Sequence, residues 1–387
     1  MSTTRRGFLL ATGTTLAAAG LAACAPRTDP RPSATPSAEG PADLEPVFAS
    51  AFAATGMAGC AIRVRHAGEV WRSTAGVADR RSGDPYPADA YVRIASITKT
   101  YTATVVLRMV DEGMLTLDDA LERFVPGIPN GAEITVRQLL AMQSGIFDFT
   151  ADERFVRAFT DDPTMAWSLD DTVAVILRNE PLFAPGAQVA YCDSNYALLG
   201  AIAERLDGAP LHEIVAARVV SPLGLPHTYY PTETGIRMPH PTPYVPELTA
   251  DGAFDPSTSP RVVVELNPAV PAGAGAMIST LEDVSAWGDE LVDGTLLSAQ
   301  TQRERLRTTR FTGQTLDFGY GLGVTNFNEY LGHDGAIFGF SSVVLTRPAT
   351  GTQIAIVGNE STNSTTPTLT IAVAIIDAID PSQGTSP

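Results

Sequence analysis

The chain has 387 residues, of which 43 are acidic and 26 basic, so its formal charge is -17. A surface this negative repels phosphate backbones, so we expect no nucleic-acid partner. The length allows one large domain or two smaller ones, with enough hydrophobic residues (44%) for a sizeable core. Only one of the basic residues, Lys99, is a lysine. Codon bias explains a preference for arginine, but a guanidinium cannot act as a neutral amine, so Lys99 is a candidate base.

The first 24 residues have the pattern of an export signal. Arg5 and Arg6 precede an apolar run, as in a twin-arginine signal, and the run is too short to span a membrane. It ends in Leu-Ala-Ala-Cys at Cys24, which resembles a lipoprotein cleavage box. We therefore expect a signal peptide over 1–23 and a lipid anchor at Cys24. The protein would sit on the outer face of the cell membrane, or be secreted if Cys24 is not lipidated.

The rest of the chain divides by composition into three parts. Residues 24–43 are rich in proline, serine and alanine, which predicts a flexible tether. Residues 44–380 form the predicted folded domain, and 381–387 a disordered tail. The two cysteines of the domain, Cys60 and Cys192, could pair in an oxidising compartment, but two buried free thiols are the favoured interpretation.

Strands are predicted near both ends of the domain. Alternating residues over 60–65, followed by a turn and a return over 70–73, predict a hairpin. Three further strands are predicted over 318–327, 339–347 and 353–357, followed by a helix over 368–378. Helical segments are predicted between them, at 96–112, 135–143, 169–178, 194–206, 211–219 and 280–292. A sheet built from both chain ends around a helical insertion predicts one α+β domain with two lobes and a site in the cleft between them. The proline-rich residues 231–260 are expected to form a long loop bordering that cleft.

Ser96 lies three residues before Lys99, at the start of an apolar helix. This spacing puts both side chains on one face at the helix N-terminus, where free N–H groups and the helix dipole favour a developing negative charge. A partly desolvated amine one turn on can take the serine proton. A capping serine beside a solvated lysine is the alternative for these two residues considered alone.

Two further boxes follow in order, and with them the sequence resembles the serine acyl-transferases that include class C β-lactamases and DD-carboxypeptidases. Those enzymes carry Ser-x-x-Lys, Tyr-x-Asn, and Lys- or His-x-Gly. The corresponding residues here are Ser96 and Lys99, Tyr191 to Asp193, and His333 to Gly335. Further landmarks run from about residue 50 to about residue 360, among them Gln143-Ser144-Gly145, Pro222-Leu223-Gly224-Leu225 and Gly319-Tyr320-Gly321.

The resemblance implies a β-lactamase/transpeptidase-like fold, with an antiparallel sheet from both chain ends, a mostly helical lobe and the active site between them. It implies that Ser96 attacks a carbonyl and that Lys99 and Tyr191 share proton transfer, with the choice of base left open. Backbone N–H groups of Ser96 and Ala336 would form the oxyanion hole. His333 would assist by hydrogen bonding or by a partial positive charge.

Three departures from the family pattern concern the substrate. Asp193 replaces the usual asparagine, Asp334 replaces threonine or serine beside Gly335, and residues 324–326 lack the arginine that similar DD-carboxypeptidases carry. An acidic Asp334 would repel a substrate carboxylate, unless it pairs with an arginine or points into solvent. The departures favour an ester, amide or lactone without that carboxylate, or a substrate with a cationic group.

The sequence therefore predicts an exported serine hydrolase that acts through an acyl-enzyme on Ser96, with no metal and no organic cofactor. A D-alanyl-D-alanine carboxypeptidase-like peptidase ranks first by resemblance, an esterase second and a β-lactamase third. The expected partner is a small molecule or a peptidoglycan peptide, and the oligomeric state stays open. A non-enzymatic surface-binding lipoprotein is the alternative from another class, and the presence of Ser96, Lys99 and Tyr191 together argues against it.

Overall fold

A computed structural model describes residues 44–247, 258–311, 318–361 and 366–381. The expected signal peptide, Cys24 and tether lie outside the described residues, as do residues 382–387 of the expected tail. Among the described residues, no helix is both long enough and apolar enough to cross a membrane.

The main sheet is antiparallel and takes its strands from both ends of the domain. All the strands of the described residues, in chain order, are β1 Gly59–His66, β2 Glu69–Gly76, β3 Val92–Arg93, β4 Tyr244–Val245, β5 Arg261–Val262, β6 Ile278–Ser279, β7 Thr309–Arg310, β8 Phe318–Tyr320, β9 Thr325–Phe327, β10 Tyr330–Ile337, β11 Phe340–Arg347 and β12 Thr352–Gly358. The sheet order is β2-β1-β12-β11-β10-β9-β8-β7, while β3 pairs with β6 and β4 with β5. The first hairpin therefore joins the last strand of the chain.

Helices fill most of the sequence between β2 and β7. Ten helices lie in this part of the described chain, while α1 precedes β1 and α12 follows β12. In chain order the helices are α1 Glu45–Thr55, α2 Thr98–Asp111, α3 Val136–Leu140, α4 Glu153–Asp161, α5 Leu169–Leu177, α6 Asp193–Asp207, α7 Leu211–Val215, α8 Ser221–Leu223, α9 Ala272–Gly275, α10 Leu281–Asp293, α11 Ala299–Arg305 and α12 Pro367–Ile379. A π-helical turn at Ala216–Val220 joins α7 to α8, and a 3₁₀ turn at Ala95–Ile97 leads into α2.

The central strands are buried on both faces, because helices cover each side of the sheet. Along β12, Ile354 and Ile356 pack with the apolar faces of α1 and α12, whereas Ala355 and Val357 face the larger core shared with the helical lobe. This alternation follows from the two-residue period of a strand. It explains why β11 and β12 are buried along almost their whole length.

Helix α2 passes through the centre of the larger core. Nearly all its side chains are buried, including Thr98, Thr100 and Thr102. The threonine hydroxyls are satisfied by nearby backbone, as where Thr102 Oγ1 donates to Gly273 O at 2.7 Å. A helix buried on all sides is held rigidly, so the turn at its N-terminus is well placed to carry a reactive side chain.

The fold agrees with the predicted α+β class and with the predicted sheet from both chain ends. The strand predicted over 318–327 is two strands, β8 and β9, separated by a turn in which Gly323 has a φ of 80°. Strand β10, helices α1, α4, α8, α9 and α11 and the two-residue strands β3 to β7 were not predicted from the sequence. Cys60 and Cys192 are both buried free thiols, as favoured.

Candidate active site

Ser96 lies on a tight turn between β3 and α2. Ala95, directly before it, has a φ of 48°, a left-handed conformation that costs an L-residue about 1–2 kcal/mol. The turn packs against β10 so closely that an added Cβ at Gly335 would lie 2.5 Å from Ile94 O. Ser342 Oγ donates to the same carbonyl oxygen at 2.9 Å. Strands β10 and β11 therefore fix the position of the turn that carries Ser96.

The side chain of Lys99 is fully buried and makes three polar contacts. Its Nζ lies 3.0 Å from Ser96 Oγ, 2.9 Å from Ala274 O and 2.5 Å from Asp193 Oδ1. An ammonium group has three donors, so these contacts use all of them. The ion pair with Asp193 offsets the cost of burying the charge, and it gives Lys99 a carboxylate partner that the usual asparagine would not provide.

Tyr191 covers the same amine from the side of α6. Its ring centroid is 4.7 Å from Lys99 Nζ, and the residue is 38% exposed. Desolvation of its hydroxyl raises the pKa of Tyr191 well above the ordinary value, and the charge on Asp193 raises it further. A hydrogen bond with Ser96 acts in the opposite direction. The phenol is therefore held neutral within reach of Ser96.

His333 lies on β10 and is almost completely buried. Its Nδ1 is 2.6 Å from Asp334 O, which can only accept, so Nδ1 carries the proton. Its Nε2, 3.1 Å from Tyr320 Oη, then accepts the phenol proton. Burial lowers the pKa of His333 to about 4. Of the two ways in which this histidine was expected to assist, the geometry favours hydrogen bonding by a neutral ring.

The second half of β10 presents an unpaired edge to the turn that carries Ser96. Pairing with β9 ends at Gly332, whose carbonyl oxygen accepts from Thr325 Oγ1 on β9 at 2.8 Å. Backbone groups of every second strand residue face the same side, so the N–H of Ala336 faces that side too. Within the described part of the chain no strand pairs there beyond Gly332. A free N–H beside a nucleophile is what an oxyanion hole requires.

Asp334 stays unneutralised at the mouth of the site. Its side chain is 31% exposed, and the nearest cationic candidate is His333 Nδ1 at 3.9 Å, on a ring that is neutral near pH 7. No arginine among the described residues forms an ion pair with it. Its charge contributes to the raised pKa of Tyr191. Asp334 therefore acts on the cleft electrostatically. No arginine partner among the described residues removes the repulsion that it exerts on a substrate carboxylate.

Several residues of the site were not singled out from the sequence. Tyr320 lies within the glycine-rich Gly319 to Gly323 landmark, which was a usable signal. Asp148 and Thr150 lie beside Asp193 through tertiary packing: Asp193 N donates to Asp148 Oδ2 at 3.2 Å, and Thr150 Oγ1 lies 3.3 Å from Asp193 Oδ2. Locally, Asp148 and Thr150 indicate only an Asx turn.

The structure brings all the predicted motif residues to one place. Ser96, Lys99 and Tyr191 form the centre, with Asp193 behind Lys99 and β10 from His333 to Ala336 along one edge. Among the described residues no group of three His, Cys, Asp or Glu side chains could hold a metal ion.

Comparisons with known proteins agree with this geometry. Residues 44–377 match the family model named Beta-lactamase. The chain is 29% identical over 321 residues to penicillin-binding protein 4 of Amycolatopsis lactamdurans, covering 78% of this chain and 80% of that protein. It is 34% identical over 196 residues to esterase EstB of Burkholderia gladioli, covering 48% of this chain and 50% of the esterase.

A solved structure extends the likeness over nearly the whole domain. The D-stereospecific amidohydrolase from Streptomyces sp. superimposes with a TM-score of 0.77 at 30% identity, covering 88% of this chain and 99% of that one. With the family model matching residues 44–377 and the motif residues assembled in one cleft, the chain belongs to the β-lactamase family of serine hydrolases.

Proposed function

We propose that this enzyme hydrolyses small amides or esters whose acyl part carries a free ammonium group and whose scissile bond is not flanked by a carboxylate. The observation that carries the proposal is the charge of the cleft. Asp334 is partly exposed and has no arginine partner among the described residues, while the charge of Lys99 is already paired with Asp193. An ammonium group is attracted to such a site, and a carboxylate is repelled.

The chemical steps follow from the contacts of the site. Ser96 Oγ attacks the carbonyl and forms an acyl-enzyme, and the N–H groups of Ser96 and Ala336 bind the oxyanion. Lys99, 3.0 Å from Ser96 Oγ, is the base. Tyr191 is the relay to the leaving group, because desolvation and nearby carboxylates hold it as a neutral phenol that can donate a proton. Water then hydrolyses the ester on Ser96.

Three more specific activities are supported by similarity, and two of them lie within the proposed substrate class. Similarity to the Streptomyces D-stereospecific amidohydrolase supports an amidase acting on a D-amino-acid derivative. The motif resemblance and the match to penicillin-binding protein 4 support a D-alanyl-D-alanine carboxypeptidase-like peptidase. Similarity to EstB supports an esterase. The charge of Asp334 favours the amidase or the esterase, since a carboxypeptidase must bind a carboxylate beside the scissile bond. It also ranks β-lactamase activity below both.

Two experiments test the proposal in sequence. A fluorophosphonate should label the wild-type protein and leave Ser96→Ala unlabelled by intact mass; no adduct would remove the enzyme assignment and favour a surface-binding lipoprotein. Next, kcat/KM is compared for D-alanine amide and N-acetyl-D-alanine amide, which differ in the ammonium charge. We expect the free amine to be favoured tenfold to hundredfold.

Additional substrates separate the alternatives. Hydrolysis of acetyl-D-alanyl-D-alanine tests for carboxypeptidase activity. Hydrolysis of a short-chain nitrophenyl ester tests for esterase activity, and hydrolysis of a chromogenic cephalosporin tests for β-lactamase activity. Faster turnover of the carboxylate-bearing peptide than of D-alanine amide would contradict the proposed substrate class while leaving the acyl-enzyme mechanism intact.

We also propose that the protein is exported and anchored through lipid on Cys24. Support comes from the sequence alone: the arginine pair Arg5 and Arg6, the short apolar run and the cysteine box. Cys24→Ser should move the protein from the membrane fraction to the soluble exported fraction, while Arg5→Lys together with Arg6→Lys should retain the precursor in the cell. Membrane association unchanged in Cys24→Ser would overturn the anchor.

A further inference from the structure

Two carboxyl groups meet at one hydroxyl behind Lys99. Thr150 Oγ1 lies 2.9 Å from Asp148 Oδ1 and 3.3 Å from Asp193 Oδ2. A hydroxyl has a single proton and can donate to only one of them. The other carboxyl can hydrogen-bond to Thr150 only when it carries a proton itself. The geometry therefore suits a pair of carboxyl groups that hold one proton between them.

The remaining contacts show which member of the pair is ionised. Asp193 Oδ1 lies 2.5 Å from Lys99 Nζ, so its charge is used in that ion pair. Two backbone N–H groups donate to Asp148, from Thr150 at 3.0 Å and from Asp193 at 3.2 Å. Desolvation of the Asp148 carboxyl group nevertheless disfavours its charged form. Two adjacent carboxylates repel each other, so the proton resides on Asp148 when Asp193 is paired.

We propose that Asp193 accepts the proton that Lys99 must lose before it can act as a base, and that Asp148 is the positioning residue that sets how readily Asp193 accepts it. This inference rests on the proposed acyl-enzyme mechanism on Ser96. It assigns Asp193 a role that an asparagine at the same position cannot perform, because an amide does not take up a proton in this range.

The proton transfers balance through the acylation step. The Lys99 ammonium gives a proton to Asp193 Oδ1, and the neutral amine takes the proton of Ser96 Oγ as Oγ bonds to the carbonyl carbon. The oxyanion then collapses and breaks the bond to the leaving group, which takes a proton from Tyr191. Tyr191 is reprotonated by Lys99, and Lys99 by Asp193. The resting charges on Lys99 and Asp193 are thereby restored.

The groups that face Asp148 define the expected pH dependence. Asp193, Tyr191 and Cys192 approach it from the start of α6, and Lys99 reaches the pair through Asp193. Desolvation and the charge on Asp193 raise the pKa of Asp148 to about 7. Above that pH the charge of an ionised Asp148 repels that of Asp193, and transfer of the Lys99 proton to Asp193 relieves this repulsion. Acylation should therefore rise with pH through about 7.

The pH profile of Ser96 phosphonylation by a fluorophosphonate, in which Oγ displaces fluoride from phosphorus, tests this inference on the full chain. Asp148→Asn removes the group that titrates, so its rate should be nearly constant between pH 6 and 8 and equal to the low-pH rate of the wild type. Asp161→Asn, a matched change at an exposed carboxylate at the end of α4, should keep the wild-type profile. An unchanged inflection in Asp148→Asn would overturn the role of Asp148.

Two further variants keep the test independent of simple loss of folding. Thr150→Val should lower the rate at pH 8 and flatten the profile, and Thr150→Ser should restore it. Asp193→Asn should lower acylation at pH 8 tenfold or more, and an undiminished rate would overturn the role of Asp193. The urea midpoint of each variant confirms that it is folded. Failure of the wild type to react with the fluorophosphonate would instead overturn the proposed function, so the two failures are distinguishable.

Discussion

The hydroxyl of Tyr320 lies 3.1 Å from Nε2 of His333, and on the other side of the ring Nδ1 lies 2.6 Å from Asp334 O. These two contacts select one tautomer of a neutral, buried imidazole. A protonated ring would have to turn an N–H toward Tyr320, whose hydroxyl would then change from donor to acceptor. The arrangement keeps positive charge away from the strand that borders Ser96.

This burial makes stability depend on pH. The folded-state pKa of His333 is about 4, below the ordinary value of 6.5, so the unfolded chain binds more protons between these limits. The contribution of His333 to stability is therefore complete above about pH 6.5 and is lost as the pH falls toward 4. From pH 7 to pH 4.5 the wild type should lose about 2–3 kcal/mol more than His333→Gln. Urea unfolding of both proteins at the two pH values measures the difference, and equal losses would contradict a neutral His333.

Lys99→Arg tests whether a titratable amine is required. The guanidinium keeps the charge beside Asp193 but stays protonated, so it cannot take the Ser96 proton. The rate of Ser96 phosphonylation by a fluorophosphonate should fall at least a thousandfold. Lys99→Met, which removes both charge and base, should be equally inactive, and urea midpoints establish that both variants fold. An active arginine variant would show that Lys99 is not the base.

Asp334→Thr restores the residue type usual in the family. Removing the repulsion of a carboxylate should lower the barrier to penicillin acylation by ~1–3 kcal/mol, which is a tenfold to hundredfold faster reaction. The same change should weaken the preference for D-alanine amide over its N-acetyl derivative. Stopped-flow labelling with a fluorescent penicillin gives the rate, with Asp161→Thr as a remote acid-to-threonine control. An unchanged rate would mean that Asp334 does not repel the substrate carboxylate.

Gly335→Ala tests the close approach of β10 to the turn that carries Ser96. Its Cβ would meet Ile94 O at 2.5 Å and Ser342 Oγ at 2.7 Å, so strand and turn must separate. We expect a loss of about 1–3 kcal/mol in stability from overpacking. A displaced oxyanion hole should also reduce kcat a hundredfold or more. Gly235→Ala is the control, because no atom lies within 4 Å of its added Cβ. Wild-type kcat in Gly335→Ala would argue against an oxyanion site at this edge.

Local sequence patterns predicted the elements that carry the centre of the site. The three-residue spacing of Ser96 and Lys99 at a helix start places Nζ 3.0 Å from Oγ, a contact that needs only one helical turn. Alternation predicted β1, whose buried side chains Ile62 and Val64 are apolar, and the apolar run within 353–357 predicted β12. The assignment of catalytic roles to these residues stays a prediction.

Other features depend on contacts that no local pattern contains. Strand β10 has two glycines and a His-Asp pair in eight residues, a composition with low strand propensity. It is a strand because β11 pairs with it along seven residues and the turn before α2 packs against Gly335. Asp148 and Thr150 are likewise brought to Asp193 by the packing of the helical lobe, which is why the paired carboxyl groups were missed.

The pairing of β1 with β12 also determines when this domain can fold. Strand β1 pairs with β2 along one edge and with β12 along the other, where Cys60 lies opposite Gly358. The second edge therefore finds its partner only near the end of the domain. During synthesis that edge stays unpaired until nearly the whole domain has left the ribosome. A chain truncated before Thr352 would expose the apolar edge of β1 permanently, which makes such fragments prone to aggregate rather than to fold as smaller hydrolases.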